Sequence, residues 1–495
     1  MGTTALAQVV PARHSAVDPA RASAKLALVY DGVPSVAYAF DATLEVVALR
    51  GSVPSQWEAE FNKTLRKGKL SLSTAATPKD AYDALRRASA SAGAYPGTSA
   101  PPSTPRPGVP GPGGFAPPSP ERLAADARRE KDGKGGKSKT AKADVVSLGD
   151  EYLAAAIANG LIVPLDGSVA TRPWYGRLPE VWRRVVSRFP DGSPAPPPPP
   201  GARGASLGPA AVYGVPYRWG ATVIAYRSDK LPRDVSRSIA ANGGIDWPDL
   251  WRPELRRRVA FGGGPRALLT ASLRAAGASA NDPRAVGRVP GARARLDRLR
   301  DEQLLTTDAA QYVQALANGD AWAAVGSSDD LLALARRSSL VSVAVPRSGT
   351  ALFADVWCVP AAAAAKPGGL SPLADQWFDY TTQPARANLR SGLRGGVATV
   401  AFDGARVAYE VNRMDAPAGG FAGAGAGAPT DATTAAFFRD AFAGGSADPG
   451  NLTRGGMPPD ETWARSEFLE PLSPSAREGY NAVLREWAER GARGA

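Results

Sequence analysis

Residues 211–231, AVYGVPYRWGATVIAYRSDKL, constrain this chain more than any other stretch. One β-pattern runs from Val212 to Tyr217 and a second from Thr222 to Tyr226, with Trp219-Gly220 between them and Ser228-Asp229 closing the run. Short apolar runs rich in β-branched and aromatic residues read as buried strands, and no turn signal separates these two. The expectation is one extended segment that leaves one lobe and enters another. Such a segment can act as a hinge, and hinged lobes close around ligands.

Strand and helix signals alternate on both sides of it. LEVVA at 44–48 reads as a buried strand, and the helix after Ser55 carries Trp57, Phe61 and Leu65 on one stripe. Lys69 to Ser73 suggests a second strand. Thr77-Pro78-Lys79-Asp80 then opens a helix with a hydroxyl cap, a proline in the first turn and an acid three residues on. That helix buries Tyr82 and Leu85. Asp144 to Ser147 resumes as strand, and the next helix carries Leu153 and Ile157, with Gly160 just past its end. Alternation of this kind to residue 380 argues for α/β lobes. VSVAVPRSGTALFADVWCVP (341–360) supplies a second extended crossover that returns the chain to the first lobe.

The expected organisation is an N-terminal tail at 1–42, lobe one at 43–215 with 346–415, lobe two at 216–345, and a C-terminal extension at 416–495. The extension ends in a helix at 473–489 with Tyr480, Leu484 and Trp487 on one stripe; its docking surface is open at this stage. Three tracts interrupt the pattern. From about 89 to 140 there is almost nothing to bury, and a disordered insertion is expected. Residues 191–204, DGSPAPPPPPGARG, favour polyproline geometry, and 416–429 is a weak Gly/Ala tract. GGKS at 135–138 lacks the leading glycine of a phosphate loop, since Lys131 stands there, so it reads as low complexity.

Composition removes several function classes. The single histidine, His14, lies in the tail, so histidine base chemistry and histidine metal clusters are not expected in the core. The single cysteine, Cys358, forbids an internal disulfide and sits in an apolar run as a small hydrophobe. No cofactor or metal is expected. The net charge of +12 invites a nucleic-acid reading. The dense basic run Arg256-Arg257-Arg258 is read as a solvated turn. Arg293, Arg295, Arg298 and Arg300 alternate with Asp297 and Asp301 on a helix, which is ordinary surface patterning. No nucleic-acid partner is expected. No apolar stretch reaches the ~20 residues of a membrane span, and residues 1–42 carry no readable signal peptide.

The crossover segment resembles that of extracellular solute-binding proteins serving ABC importers, of the spermidine/putrescine-binding type. The resemblance continues in LEVVALRGSVPSQWEAEFNKT (44–64), ADVVSLGDEYLAAAIANGLIVPLD (143–166) and WPDLWRPELRRRVAFGGGPRALLTASLRAAG (247–277). It resumes in QYVQALANGDAWAAVGSS (311–328) and in residues 341–360, and together the blocks span most of 43–390. The resemblance implies a two-lobed periplasmic-binding-protein fold of type II with two crossover strands. It also implies a monomeric, non-enzymatic binding protein that works outside the cytoplasm and hands a small solute to importer membrane subunits. Long Pro/Gly/Ser inserts suggest a plastid or other organelle as the alternative compartment, with 1–42 as a candidate targeting segment.

Pockets favour the gap between domains and the C-terminal edges of parallel strands. That places Arg50, Gly149 to Tyr152, Gly262 to Arg266, Ser327-Ser328, Phe353 and Asp355 around the gap. By the resemblance, Asp355 keeps an acid of the polyamine site and Phe353 stands where a tryptophan is usual. Elsewhere the pattern departs: Leu49 and Arg50 replace an aromatic and a small polar residue, Gly264 and Ala267 replace two acids, Ser327 replaces a tryptophan, and Glu151 stands near an expected tyrosine. The expected ligand contacts are Arg50, Glu151, Gly264, Ser327, Phe353 and Asp355. Arg50 and the glycine-rich helix start suggest an anionic or zwitterionic solute, with Asp355 taking its cationic end. The competing reading is a bilobal interaction scaffold that has lost transport, its polyproline tracts docking partners. An enzyme pairing Asp355 with Glu151 ranks third, for lack of a nucleophile or base motif.

Overall fold

The strand expected to pass through Gly220 does so without a break. The computed structural model describes residues 26–30, 33–37, 42–65, 67–91, 142–178, 180–202, 209–242, 244–262, 264–305, 311–335, 337–366, 369–383, 397–398, 462 and 464–493. In it Val215–Arg227 is a single strand, buried at nearly every position. Burial on both faces explains why the segment reads as continuous apolar sequence instead of alternating. It starts at Val215, later than expected. Ala211–Val212 is a separate short strand that pairs back onto Ser187–Arg188. Gly220 is required at the crossing, because a Cβ there would stand 2.2 Å from Phe353 Cζ and 2.7 Å from Ser328 Oγ.

Elements are numbered along the chain. The first half comprises a hairpin, β1 (Leu26–Tyr30) and β2 (Val33–Ala37), then β3 (Thr43–Leu49), α1 (Gln56–Thr64), β4 (Lys69–Ala75) and α2 (Pro78–Ser91). It continues with β5 (Val145–Gly149), α3 (Asp150–Ala158), β6 (Ile162–Val163), α4 (Pro173–Arg177), α5 (Glu180–Val186), β7 (Ser187–Arg188) and β8 (Ala211–Val212). After β9 (Val215–Arg227) come α6 (Arg233–Ala241), β10 (Val259–Phe261), α7 (Gly264–Ala275), α8 (Ala292–Glu302) and β11 (Leu304–Leu305). Then follow α9 (Gln311–Asn318), β12 (Ala323–Ser327), α10 (Ser328–Ala335) and β13 (Val341–Ala344). The return path is β14 (Ala351–Pro360), α11 (Ala361–Ala364), α12 (Leu373–Thr381), β15 (Val397–Ala398), β16 (Glu467–Phe468) and α13 (Pro474–Arg493).

The strand order is β11-β10-β12-β9-β14-β5-β3-β4. β9 changes partner along its length: its N-terminal part lies antiparallel to β14, from Val215 opposite Trp357 to Ala221 opposite Leu352. From Thr222 onward it pairs with β12 and, on its other edge, with β13. Flanking strands within each half are parallel, β4-β3-β5 on one side and β11-β10-β12 on the other. Two lobes therefore share a pair of antiparallel strands at their junction, and their helices cover both faces.

The buried residues form two clusters, a larger one centred on the first half that also takes in Tyr312, Leu316, Leu331 and Val343 of the second, and a smaller one within the second half. In the first, Trp57 and Phe61 pack edge-on against Trp377 and Tyr380, which stack on each other, and Tyr217 stacks on Trp357 at 4.0 Å. In the second, Trp247, Trp251, Leu255, Leu296 and Leu299 gather beneath Val259 and Phe261. α13 buries Tyr480 and Val483 in this second core, which settles where the terminal helix docks. The cap expected at α2 forms: Thr77 Oγ1 accepts from Asp80 N at 3.1 Å and donates to Asp80 Oδ2 at 2.7 Å.

α2 runs to Ser91, slightly into the tract expected to be an insertion, and residues 92–141 of that tract lie outside the described residues. So do most of 1–42, the Gly/Ala tract at 416–429, and the side chain of Trp487. The proline segment at 191–202 folds back onto the first half. Tyr175 Oη donates to Pro198 O at 2.8 Å and Gly201 N to Ala170 O at 2.7 Å.

Candidate functional site

Arg218 is the one charge in the interior of β9, which ends at a second arginine, Arg227, and a guanidinium buried there has to be paired. It sits opposite Asp355 in the β9–β14 ladder. Its Nε lies 2.6 Å from Asp355 Oδ2, and its Nη2 lies 2.6 Å from Asp329 Oδ2. Asp355 is 2% exposed and Arg218 5%, so the pair is sealed from water. Asp329 belongs to the first turn of α10, which is pinned to β9 by the Ala221 N–H donating to Ser328 Oγ at 3.2 Å. Asp329 Oδ1 is buried without a hydrogen-bond partner.

A second carboxylate pair arrives from the first half. β5 ends opposite Asp355, and the first residue of α3, Asp150, takes over the edge of β14. Its Oδ1 accepts the Ala354 N–H at 2.8 Å. Glu151 follows it, partly buried, and makes no ion pair among the described residues. The Tyr152 ring lies beside Glu151's turn, 5.2 Å from that of Tyr82. From the second half, Arg266 in the first turn of α7 is buried and donates through Nη2 to Ala280 O, Asn281 Oδ1 and Glu470 O. Arg188 of β7 pairs with Glu470 at 3.0 Å.

A C-terminal stretch closes over these groups. β16 pairs with β14 at Ala351 and Leu352, on the edge that β5 occupies further along. The Phe468 ring stands edge-on to Trp182 of the first half, with centroids 5.2 Å apart. Glu467 accepts from Arg274, Ser279 Oγ, Ala280 N and Asn281 Nδ2 of the second half.

Carboxylates outnumber cations in this cluster. Asp150, Glu151, Asp329, Asp355 and Glu470 face the guanidinium groups of Arg188, Arg218 and Arg266, so five negative charges meet three positive ones when all are ionised. Burial holds Asp150, Glu151, Asp329 and Asp355 above the ordinary carboxylate range. Burial pushes Asp150 up to about 8, with the charges of Glu151 and Asp355 adding to it and the Ala354 N–H and Arg188 opposing. Burial and the charge of Asp355 bring Glu151 to about 7 against the pull of Arg266. Burial raises Asp329 to about 7 despite Arg218. Asp355 is raised by burial against the attraction of Arg218. Burial also lowers Arg266 to about 10.

Of the residues expected from sequence, Glu151, Ser327, Phe353 and Asp355 come together. Ser327 Oγ accepts from Asp329 N at 3.2 Å, and the Phe353 ring covers Gly220. Gly264 is the first residue of α7, two positions before Arg266. Arg50 lies in an exposed turn after β3, and no described contact joins its side chain to the cluster. Asp355, expected to take a ligand's cationic end, is bonded instead to Arg218 within the protein. Sequence reasoning missed Arg218, Asp329, Arg188 and Glu470. Arg218 had a readable signal, a lone arginine in an otherwise apolar strand pattern; the other three had none.

The profile of the bacterial extracellular solute-binding proteins matches residues 130–396, more than half of the chain. The chain belongs to that family. As a family member it is a solute-binding protein and not an enzyme, in keeping with the reading of its sequence. It is 26% identical over 253 residues to the putrescine-binding periplasmic protein of Escherichia coli (strain K12), a match covering 49% of this chain and 60% of that relative. Among solved structures it is similar to a spermidine/putrescine ABC transporter substrate-binding protein from Streptococcus pneumoniae. There the TM-score is 0.54 and the identity 12%, covering 90% of this chain and 98% of that one. An ABC transporter substrate-binding protein from Bradyrhizobium japonicum aligns with a TM-score of 0.50 and 16% identity, covering 90% of this chain and 99% of that one. At these identities the likeness carries the fold alone: two lobes joined by crossover strands. Among the described residues no helix is long and apolar enough to cross a membrane, and no group of three or more potential ligands could hold a metal ion.

Proposed function

We propose that this solute-binding protein serves an ABC importer outside the cytoplasmic membrane, and that its solute is a small organic amine whose cationic group pairs with Glu151. The observation that carries the reading is the convergence of Asp150, Glu151, Asp329 and Asp355 between the two halves, where carboxylates outnumber guanidinium groups and, among the described residues, Arg218 is the only cation ion-paired to any of the four. A carboxylate held away from water without a partner costs several kcal/mol unless it is protonated or neutralised. A bound ammonium supplies what the protons supply in its absence. The putrescine-binding relative supports the same class of solute.

This differs from the anionic solute suggested by Arg50 and the helix start at Gly264. Arg50 is exposed, and Arg266, the nearest guanidinium to that helix start, already serves three acceptors. Converging carboxylates also speak against the scaffold reading, which calls for a gap sealed by apolar groups. The lobes are proposed to part inside β9 between Ala221 and Thr222, where its partners change, and not at Val215. We further propose that the protein acts as a monomer delivering its solute to importer membrane subunits.

Calorimetric titration of the purified chain with putrescine, spermidine, butylamine and succinate tests the reading. Binding of at least one amine with release of protons at pH 7 is expected. Binding of succinate together with indifference to all three amines would overturn it.

A further inference from the structure

We propose that Arg218 is a specificity-determining residue: its guanidinium occupies, from within the chain, the place of one cationic end of a diamine, so the site accepts a solute through a single ammonium group. This rests on the amine reading above and narrows it. The geometry points to a built-in cation instead of an incidental ion pair. Arg218 holds two carboxylates at once, Asp355 on the crossover strand β14 and Asp329 at the start of α10, each at 2.6 Å and on different nitrogens. Both acids border the region where the two halves meet; Asp355 is withdrawn from water and Asp329 is partly so. With the guanidinium in place, Asp355 and half of Asp329 are spent. Of the carboxylates brought together there, Glu151 is the one with neither an ion pair nor a hydrogen bond to a neighbour among the described residues.

The alternatives along this strand show what the arginine does. Every other residue from Val215 to Ile224 is apolar or small, apart from Tyr217 and Thr222, and the strand needs no charge to pair with β14 or β12. An apolar side chain at 218 would leave Asp355 and Asp329 facing each other with no counter-charge. A diamine spanning from Glu151 to that pair would then satisfy three acids with two ammonium groups. Arg218 forecloses that arrangement and leaves one ammonium position beside Glu151 and the Tyr152 ring, where cation–π contact adds to the ion pair. A neutral tail of the solute would then meet Phe353 over Gly220.

The experiment compares the full chain with Arg218→Met, using butylamine as the monocationic probe and putrescine as the dicationic one, both by calorimetry at fixed ionic strength. The wild-type protein is expected to bind the two with affinities within about threefold, since only one ammonium of putrescine is seated. Arg218→Met is expected to bind putrescine at least tenfold more tightly than wild type, a gain clearly larger than its gain for butylamine. A wild-type preference for putrescine of tenfold or more overturns the inference even if the variant fails to fold. So does a folded Arg218→Met with unimproved putrescine affinity, which would make Arg218 a structural tie only; both results leave the amine reading standing. Failure of both probes to bind either protein overturns the amine reading and the inference together.

Discussion

Replacing Asp150 by asparagine separates the two roles of that residue, because only one of them needs a charge. Its Oδ1 accepts the Ala354 N–H at 2.8 Å, and an asparagine oxygen keeps that bond in the same space. What the variant loses is the ability to ionise. The Asp150 carboxyl is pushed from its ordinary 3.8 to about 8 by burial, with the charges of Glu151 and Asp355 adding and the Ala354 N–H and Arg188 opposing. A raised carboxyl binds its proton more tightly in the folded chain than in the unfolded one. Stability therefore falls as pH climbs from the unfolded pKa to the folded one, and levels off above it. Each group costs about 1.4 kcal/mol per pH unit inside its window. For Asp150 that is on the order of 4 kcal/mol between pH 5 and pH 8, and Glu151 and Asp329 add in the same direction up to about pH 7. Thermal melts from pH 5 to pH 9 should show the wild-type midpoint falling throughout the lower part of that range. The lead of Asp150→Asn over wild type should widen between pH 5 and pH 8 by on the order of 10 °C, at about 2–4 °C per kcal/mol. A flat wild-type profile, or an Asp150→Asn profile with the wild-type slope, would refute the reasoning.

Two other perturbations address the junction. Gly220→Ala should lower the melting temperature by an amount worth about 1–3 kcal/mol, because its methyl would displace the Phe353 ring; the double variant with Phe353→Ala should cost less than the sum of the two single changes, and strict additivity would count against that contact. Glu467→Ala removes the acceptor for Arg274, Ser279, Ala280 and Asn281, so limited proteolysis should cut within 464–472 faster than in wild type at unchanged helix content; unchanged protection there would show that β16 holds the stretch without it.

The legible parts of this chain were those whose causes are local. The cap at Thr77, the Trp57–Phe61 stripe of α1, the Gly160 terminus of α3 and the course of β9 all follow from residues within a turn or two of one another, and each is present. Ladder pairing over long separations was less legible. Val212 reads as the start of β9, yet its backbone pairs with Ser187. The site was legible in its positions and not in its pairings. Glu151, Ser327, Phe353 and Asp355 could be placed at strand ends and on the crossover because topology fixes where those ends meet. Nothing in the chain around Asp355 announces that its partner is Arg218, 137 residues earlier. The outward course of Arg50 was equally unreadable, because a turn sequence does not say which way its side chain faces. The docking of α13 depended on Tyr480 and Val483 finding the second core, a choice made by tertiary packing and not by the helix's own stripe.

The stretch that ends in β16 also bears on how a guest gets in and out. Glu470 touches both halves with different atoms, its carboxylate on Arg188 and its carbonyl oxygen on Arg266. Swinging the halves apart about β9 and β14 carries those two arginines away from each other, so one grip must be released first. If the halves part at the hinge proposed above, Glu470 is a tie that opposes the parting.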